Sequence, residues 1–335
     1  MQLTLIVSYD TIIMRYVKPP YTINSEIISL LLRISEKIGE LNAIQLNRPP
    51  AELRKTNRIK TIQSSLAIEG NTLTEEQITA LLNNKRILAP KKDILEVKNA
   101  IKVYEMLNQF KPLKLRSLLD AHKILMSDLI PNAGKFRTGN VGIVKGSKIT
   151  HVAPQGNMVT GLLNNLLDYI KYDQDHILIK SCVFHYEFEY IHPFNDGNGR
   201  MGRLWQNLLL MQQYLVFEYL PVESIIKAEQ VNYYEALNKS DSVGHCTPFI
   251  TFMLETILQS LNSLYHLPNL SLQVEDRVSI FKEIVGQKSF TRKDYLQHFK
   301  IISSATASRD LKSATAKGIL KRNGEKRLST YMYNP

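Results

Sequence analysis

Residues 191–205 read IHPFNDGNGRMGRLW. A histidine, a carboxylate, a short glycine-rich loop and two arginines stand close together, directly ahead of an apolar run. The run from Leu204 to Tyr214 is apolar on nearly every side and reads as a buried helix starting near Arg203. The N-terminus of a helix offers free backbone N–H groups and a positive dipole end, so it accepts phosphate. Gly197 and Gly199 let the backbone approach an anion, and Arg200 and Arg203, three apart, reach one ligand from one face. Asp196 would be repelled by phosphate unless a cation lay between them, which makes it a candidate Mg²⁺ ligand. His192 stands four residues earlier and can take a proton from a hydroxyl attacking phosphorus. Together these parts describe in-line attack on a metal-bound nucleotide phosphate. No GxxxxGK[ST] is present, so this is not a P-loop.

The rest of the chain bounds the setting. It has 335 residues, 44% hydrophobic and 22% charged, which is ordinary for a globular protein. Lys plus Arg number 42 against 31 acids, a formal net charge of +11. That excess invites anionic partners and equally describes solvated surface lysine. Two distant cysteines, Cys182 and Cys246, give neither a disulfide scaffold nor a zinc spacing and point to a reducing compartment. No apolar run has the length of a bilayer span, and the opening MQLTLIVSYDTIIM lacks signal-peptide features. No membrane association and a cytoplasmic location are expected, with Met14 read as the natural beginning.

Helical periodicity and capping signals organise most of the chain. Asn24-Ser25-Glu26 predicts the start of one helix, and a second runs from Ala51 to about Ile68 and stops at Gly70-Asn71. Thr74-x-x-Gln77 has capping-box form. Amphipathic stretches follow at 93–110 and 115–129. From Gly134 the texture changes, and GKFRTGNVGIVKGSKITHVAP predicts a β-hairpin. Helices are expected at Val159–Tyr172, Ile177–Ile191, 228–239 and 248–265. Beyond Pro268 and a linker-like stretch, residues from 274 onward carry 13 Lys and Arg against six acids. Helix, turn, helix and two short strands around Asn323-Gly324 suggest a winged helix-turn-helix.

HPFNDGNGRMGR, residues 192–203, resembles the Fic family signature HxFx(D/E)GNGRxxR at every fixed position. The resemblance extends from about residue 20 to 265. It implies a mostly α fold, with a Fic-type helical core and a β-hairpin flap. It divides the chain into a helical N-terminal region (14–110), a Fic core (111–266) and a winged helix-turn-helix-like domain (272–335). It further implies transfer of AMP from Mg²⁺-bound ATP to a Ser, Thr or Tyr hydroxyl of a target protein. His192 would be the general base and Asp196 the Mg²⁺ ligand. The backbone of Gly197–Gly199 and Asn198 would form the anion hole, and Arg200 and Arg203 would clamp the outer phosphates. Met201 and Gly202 complete the nucleotide-binding run, and Tyr234 and Asp241 are candidates for the far side of the nucleotide. For Tyr233 and Tyr234 a core role is about as good a reading as an adenine wall. His185 and Glu189 read as packing groups.

Upstream, SSLAIEGN (64–71) resembles the family's (S/T)xxxE(G/N) inhibitory motif through Ser65, Glu69 and Gly70. By resemblance, Glu69 would pair with Arg203 and compete with ATP for it. Flap residues Ile149, Thr150, His151 and Val152 are candidates for pairing with a target strand. The basic C-terminal module, with Arg309, Lys312, Lys317, Lys321, Arg322, Lys326 and Arg327, suits DNA phosphates or self-association, including a homodimer. Two other functions stay open at this point. One is a DNA-binding transcriptional regulator with a nucleotide-sensing core; the other is an enzyme that removes AMP through the same site.

Overall fold

A computed structural model describes residues 3–8, 11–43, 51–145, 148–265, 274–299, 302–324 and 329–334. Two compact units emerge. The first comprises 1–37 and 55–264, the second 38–54 and 265–335. The expected mostly helical fold is present, with fourteen α-helices among the described residues.

The first unit opens with a hairpin, β1 (Leu3–Ser8) and β2 (Thr11–Val17), in which Met14 pairs with Leu5. The apolar opening carried no expectation of either strand. The end of β2 is fastened to the body of the unit, since the Asn165 side chain receives the Val17 N–H and donates to the Val17 carbonyl. Next come α1 (Ser25–Ala43), α2 (Ala51–Ile68), α3 (Glu75–Leu82), α4 (Lys91–Glu105) and α5 (Leu115–Leu125). Asn24 caps α1 through the Ile27 N–H, and the expected capping box of Thr74 and Gln77 starts α3. The predicted hairpin is shorter than the stretch that suggested it. It consists of β3 (Gly142–Lys145) and β4 (Lys148–Val152), paired antiparallel with an irregularity between Ile143 and Val144.

Helices α6 (Val159–Tyr172) and α7 (Ile177–Ile191) keep the predicted bounds. Helix α8 (Asn198–Met211) begins five residues earlier than expected. Helices α9 (Val222–Ala228), α10 (Gln230–Val243) and α11 (Thr247–Tyr265) complete the unit. The short α9 had no apolar periodicity long enough to announce it. Nearly the whole circumference of α7 and α8 is buried, which marks them as the central helices. The loop between them therefore rests on the best-packed part of the fold.

In the second unit, α12 (Val274–Val285) precedes a short β5 (Phe290–Thr291), α13 (Arg292–His298) and α14 (Ser304–Ala316). Strands β6 (Leu320–Asn323) and β7 (Thr330–Tyr333) then join β5 in an antiparallel sheet of order β5-β7-β6. Phe281, Phe290, Tyr295, Phe299, Leu311 and Tyr333 form its core. The buried Asp310 receives two hydrogen bonds from Arg277 (2.6 and 2.9 Å) and one from the Tyr295 hydroxyl (3.2 Å). The predicted linker at 267–273, and Lys326 and Arg327, lie outside the described residues.

Candidate active site

His192 ends α7. Its backbone adopts φ +49° and ψ +61°, the left-handed conformation usually left to glycine at a helix C-terminus. A histidine kept in that geometry, costing about 1 kcal/mol or more, is held there by its surroundings. Arg137 does much of the holding. Its guanidinium is buried and donates to the carbonyls of His192 (2.6 Å), Ile191 (3.0 Å), Gly139 (2.6 Å) and Pro154 (2.6 Å). It thereby ties the C-terminus of α7 to both feet of the β3–β4 hairpin. The His192 Nδ1 lies 3.4 Å from the Glu189 carbonyl. A proton on Nδ1 directed there leaves Nε2 as the basic nitrogen.

The loop after His192 is set by buried contacts. Asn198 donates to the Phe194 carbonyl (2.8 Å) and accepts from the Phe194 N–H (2.9 Å), so its side chain is committed to the loop itself. Its contribution to an anion site is then its backbone N–H. His122 stacks on Phe194 with ring centroids 3.5 Å apart. Its Nδ1 accepts from the Gly134 N–H, which puts the proton on Nε2, facing the Asp196 carbonyl at 3.0 Å. Burial, with Arg200 nearby, holds His122 down at about 4, so it stays neutral at ordinary pH. Gly197 (φ +84°) makes the turn into α8, and a Cβ there would meet the Met126 sulfur at 2.8 Å. No side chain caps the first turn of α8. Its amides are left for a ligand, and Gly197, Asn198 and Gly199 line the adjoining cleft.

The two arginines stand in α8 itself, one turn apart, because the helix starts at Asn198. Each meets a carboxylate from an N-terminal helix. Arg203 is fully buried and donates through Nη2 to Glu69 Oε1 (2.7 Å) and the Ser65 carbonyl (2.9 Å), and through Nε to Ser65 Oγ (3.1 Å). Burial is the largest influence and opposes the charge of Arg203, but Glu69, with Tyr233 and Glu189, together raise the guanidinium above its ordinary value. Gly199 permits the contact, since a Cβ there would lie 2.4 Å from Glu69 Oε1. Arg200 bridges Asp196 Oδ1 (3.0 Å) and the buried Glu96 Oε1 (3.3 Å). Asn71, two residues beyond Glu69, donates to the other Glu96 oxygen (2.8 Å).

His192, Asp196, the 197–199 turn, Arg203, Glu69, Tyr233, Tyr234 and Asp241 all line one cleft of about 430 Å³, a size suited to a nucleotide. Asp241 accepts from the Tyr186 hydroxyl (2.7 Å). Tyr233 is buried and hydrogen-bonded to His185, whose other nitrogen faces Gln206 at 2.6 Å. Both readings of the tyrosine pair therefore have a physical basis: Tyr233 packs in the core while its ring edges the cleft. Met201 and Gly202 are buried in α8, with Gly202 against His185 and Glu189, so neither side of that pair lines the cleft. Val152 is exposed in β4; the side chains of Ile149, Thr150 and His151 lie outside the described part of the structure.

Among the described residues no group of three or more His, Cys, Asp or Glu is arranged to hold a metal ion. Asp196, half exposed at 51%, can therefore take a divalent ion only where phosphate oxygens fill most of its shell, as Mg²⁺ does on nucleotides. A more open groove of about 510 Å³ between α4 and α5 has balanced charge from Lys102, Lys123, Glu105 and Asp120, without a base or an anion cradle. Sequence reasoning missed Arg137, His122 and Glu96. A histidine and a carboxylate on the apolar faces of α5 and α4 were the available signals for two of them. Arg137 precedes the hairpin with no distinguishing spacing.

A model of the Fic/DOC family matches residues 112–210. A crystal structure of a Fic family protein from Desulfovibrio desulfuricans G20 is 37% identical and superposes with a TM-score of 0.73 over 95% of this chain and 98% of that one. The chain belongs to the Fic family. Among curated Fic proteins, the protein adenylyltransferase Fic of Nematostella vectensis is 28% identical over 67% of this chain and 53% of its own. That of Drosophila grimshawi is 29% identical over 69% and 48%. The chain thus spans about half the length of the curated relatives it matches. Fic-1 of Caenorhabditis elegans (residues 134–508) shares the Fic fold at a TM-score of 0.59 and 23% identity, over 71% of this chain and 72% of that one.

Proposed function

We propose that this Fic protein is an autoinhibited protein adenylyltransferase, moving AMP from Mg²⁺-bound ATP to a Ser, Thr or Tyr hydroxyl of a target protein. The observation that carries this reading is the single cleft holding His192, the uncapped start of α8 and Arg203, with Arg200 buried one turn earlier on Asp196 and Glu96. The adenylyltransferase names of the curated relatives support it.

In this reading Tyr234 and Asp241 face the nucleoside end, the amides of 197–199 receive phosphate oxygens, and Asp196 holds Mg²⁺ against them. The ion supplies charge neutralisation at the phosphates. His192 Nε2 takes the proton of the incoming hydroxyl as its oxygen bonds to the α-phosphorus and the bond to pyrophosphate breaks. The exposed β4 edge at Val152 suits a target segment added as a strand, with Ile149, Thr150 and His151 alongside.

Inhibition follows from the 2.7 Å contact between Arg203 and Glu69. A carboxylate there takes the guanidinium from the outer phosphates and adds a repelling charge beside them. ATP then lacks the clamp that aligns its leaving group.

A second reading rests on the second unit, which we read as a winged helix. Arg309, Lys312, Lys321 and Arg322 are exposed there. It would make the protein a DNA-binding regulator or use that unit for self-association, including a homodimer.

Peptide mapping of a cell lysate treated with the protein and ATP separates these readings. AMP on hydroxyl side chains, absent with His192→Ala, is expected. Loss of AMP from an already modified protein would favour the removal reaction. Salt-sensitive DNA binding lost on deleting 274–335, with no AMP transfer by any variant, would favour the regulator.

A further inference from the structure

We infer that Lys227 and Gln230 latch the inhibitory end of α2, and that they set how tightly Glu69 is pressed on Arg203. This rests on Glu69 being inhibitory, as proposed above.

The last four carbonyls of a helix have no partner within it. For α2 each one is accounted for. Ser65 O receives Arg203 Nη2 (2.9 Å). Leu66 O receives the N–H groups of Glu69 (3.0 Å) and Asn71 (3.1 Å). Ala67 O receives the Gly70 N–H (3.1 Å) and Lys227 Nζ (3.0 Å). Ile68 O receives Gln230 Nε2 (3.0 Å). Lys227 Nζ also donates to Gln230 Oε1 (3.3 Å), which joins the two side chains into one clip.

The electrostatics explain why such a clip is needed. The C-terminus of α2 already carries negative partial charge, and its last turn holds no basic residue. Glu69 adds a full negative charge at the same place. A helix end loaded in this way tends to fray. Arg203 offsets the charge on the cleft side and Lys227 offsets it on the carbonyl side. Lys227 belongs to α9 and Gln230 opens α10, one turn ahead of Tyr234 on the cleft wall. The helix that walls the cleft thus also grips the inhibitor. Neither Lys227 nor Gln230 lines the cleft, so both are positioning residues; Lys227 acts through Glu69, while Gln230 also hydrogen-bonds Tyr234 on the cleft wall.

The test uses the full chain with Lys227→Met, Gln230→Leu and the double variant, each with and without Glu69→Gly. Two quantities are read: transfer of label from α-labelled ATP, and hydrogen exchange of the amides at 69–71. Losing one neutral and one charged hydrogen bond should raise transfer about threefold to thirtyfold and speed exchange at 69–71. In the Glu69→Gly background Lys227→Met should add nothing to transfer, and in the parent Lys227→Arg should keep most of the inhibition. An equal effect of Lys227→Met in both backgrounds would place Lys227 on the nucleotide and overturn the inference. So would unchanged transfer in the parent background. If Glu69→Gly itself transfers nothing, the functional reading fails. The exchange arm still decides the latch, and unaltered exchange at 69–71 would refute it.

Discussion

Several residues in this molecule act by fixing the backbone of the site. Arg137 is the plainest case, because a buried guanidinium holds four carbonyls at the junction of α7 and the hairpin. Replacing it with Met strands those carbonyls. Arg137→Met should lower stability by about 3 kcal/mol, read by denaturant unfolding, and cut any transfer activity more steeply than it cuts ATP affinity. His122 gives a pH signature. It is neutral in the fold, held down at about 4 by burial with Arg200 nearby and against the pull of Asp196, and takes a proton near 6.5 when unfolded. The unfolded chain therefore binds the extra proton first. Its contribution to stability is complete above pH 6.5 and is lost as pH falls toward 4, about 3 kcal/mol in all. His185, held down to about 3 by burial, adds in the same direction. A melting-temperature series from pH 7 to 4 should slope downward, and His122→Gln should flatten part of that slope.

At the scale of elements, the deciding object is the turn from α7 into α8. The signature residues were legible because charged and glycine positions crowd a short loop. The start of α8 was not, since Asn198 and Gly199 are weak helix formers and a pattern search waits for the apolar run at Leu204. The helix starts early because Asn198 closes a two-bond clasp on Phe194 and needs no cap beyond it. Asn198→Ala should cost about 1–3 kcal/mol in chemical unfolding and loosen the phosphate cradle. The end of α2 was legible from Gly70 and the inhibitory pattern. The clip that secures it was not, because Lys227 and Gln230 come from about 160 residues away and carry no local signal. The β1–β2 hairpin was missed for a different reason: the apolar opening has no Asn-Gly-type turn pair to mark a reversal.

On the scale of the whole molecule, the helical class and the place of the flap followed from periodicity and turn chemistry. The grouping of 38–54 with the C-terminal residues did not, since nothing in those helices sets them apart from the rest of α1 and α2. The second unit has its own apolar core and its own buried ion pair, Arg277 with Asp310. Asp310→Ala should destabilise that unit by about 3–5 kcal/mol, seen as faster exchange across 274–299, while amides of the α7–α8 turn keep their protection. The first unit concentrates opposing charges in one place: two arginines of α8, each met by a carboxylate from an earlier helix. In the proposed function, phosphate binding and inhibition draw on the same guanidinium at Arg203.

The proposed competition between Glu69 and ATP for Arg203 is open to direct measurement. Wild type, Glu69→Gly and Glu69→Gly/His192→Ala should be incubated in a cell lysate with ATP labelled at the α- or the γ-phosphate. Above the label a lysate takes up without the protein, the expected result is added protein-bound label from the α position only, at least about tenfold stronger with Glu69→Gly than with wild type, and none added by the double variant. Equal α-labelling by wild type and Glu69→Gly, or His192-dependent label arriving from the γ-phosphate, would contradict it.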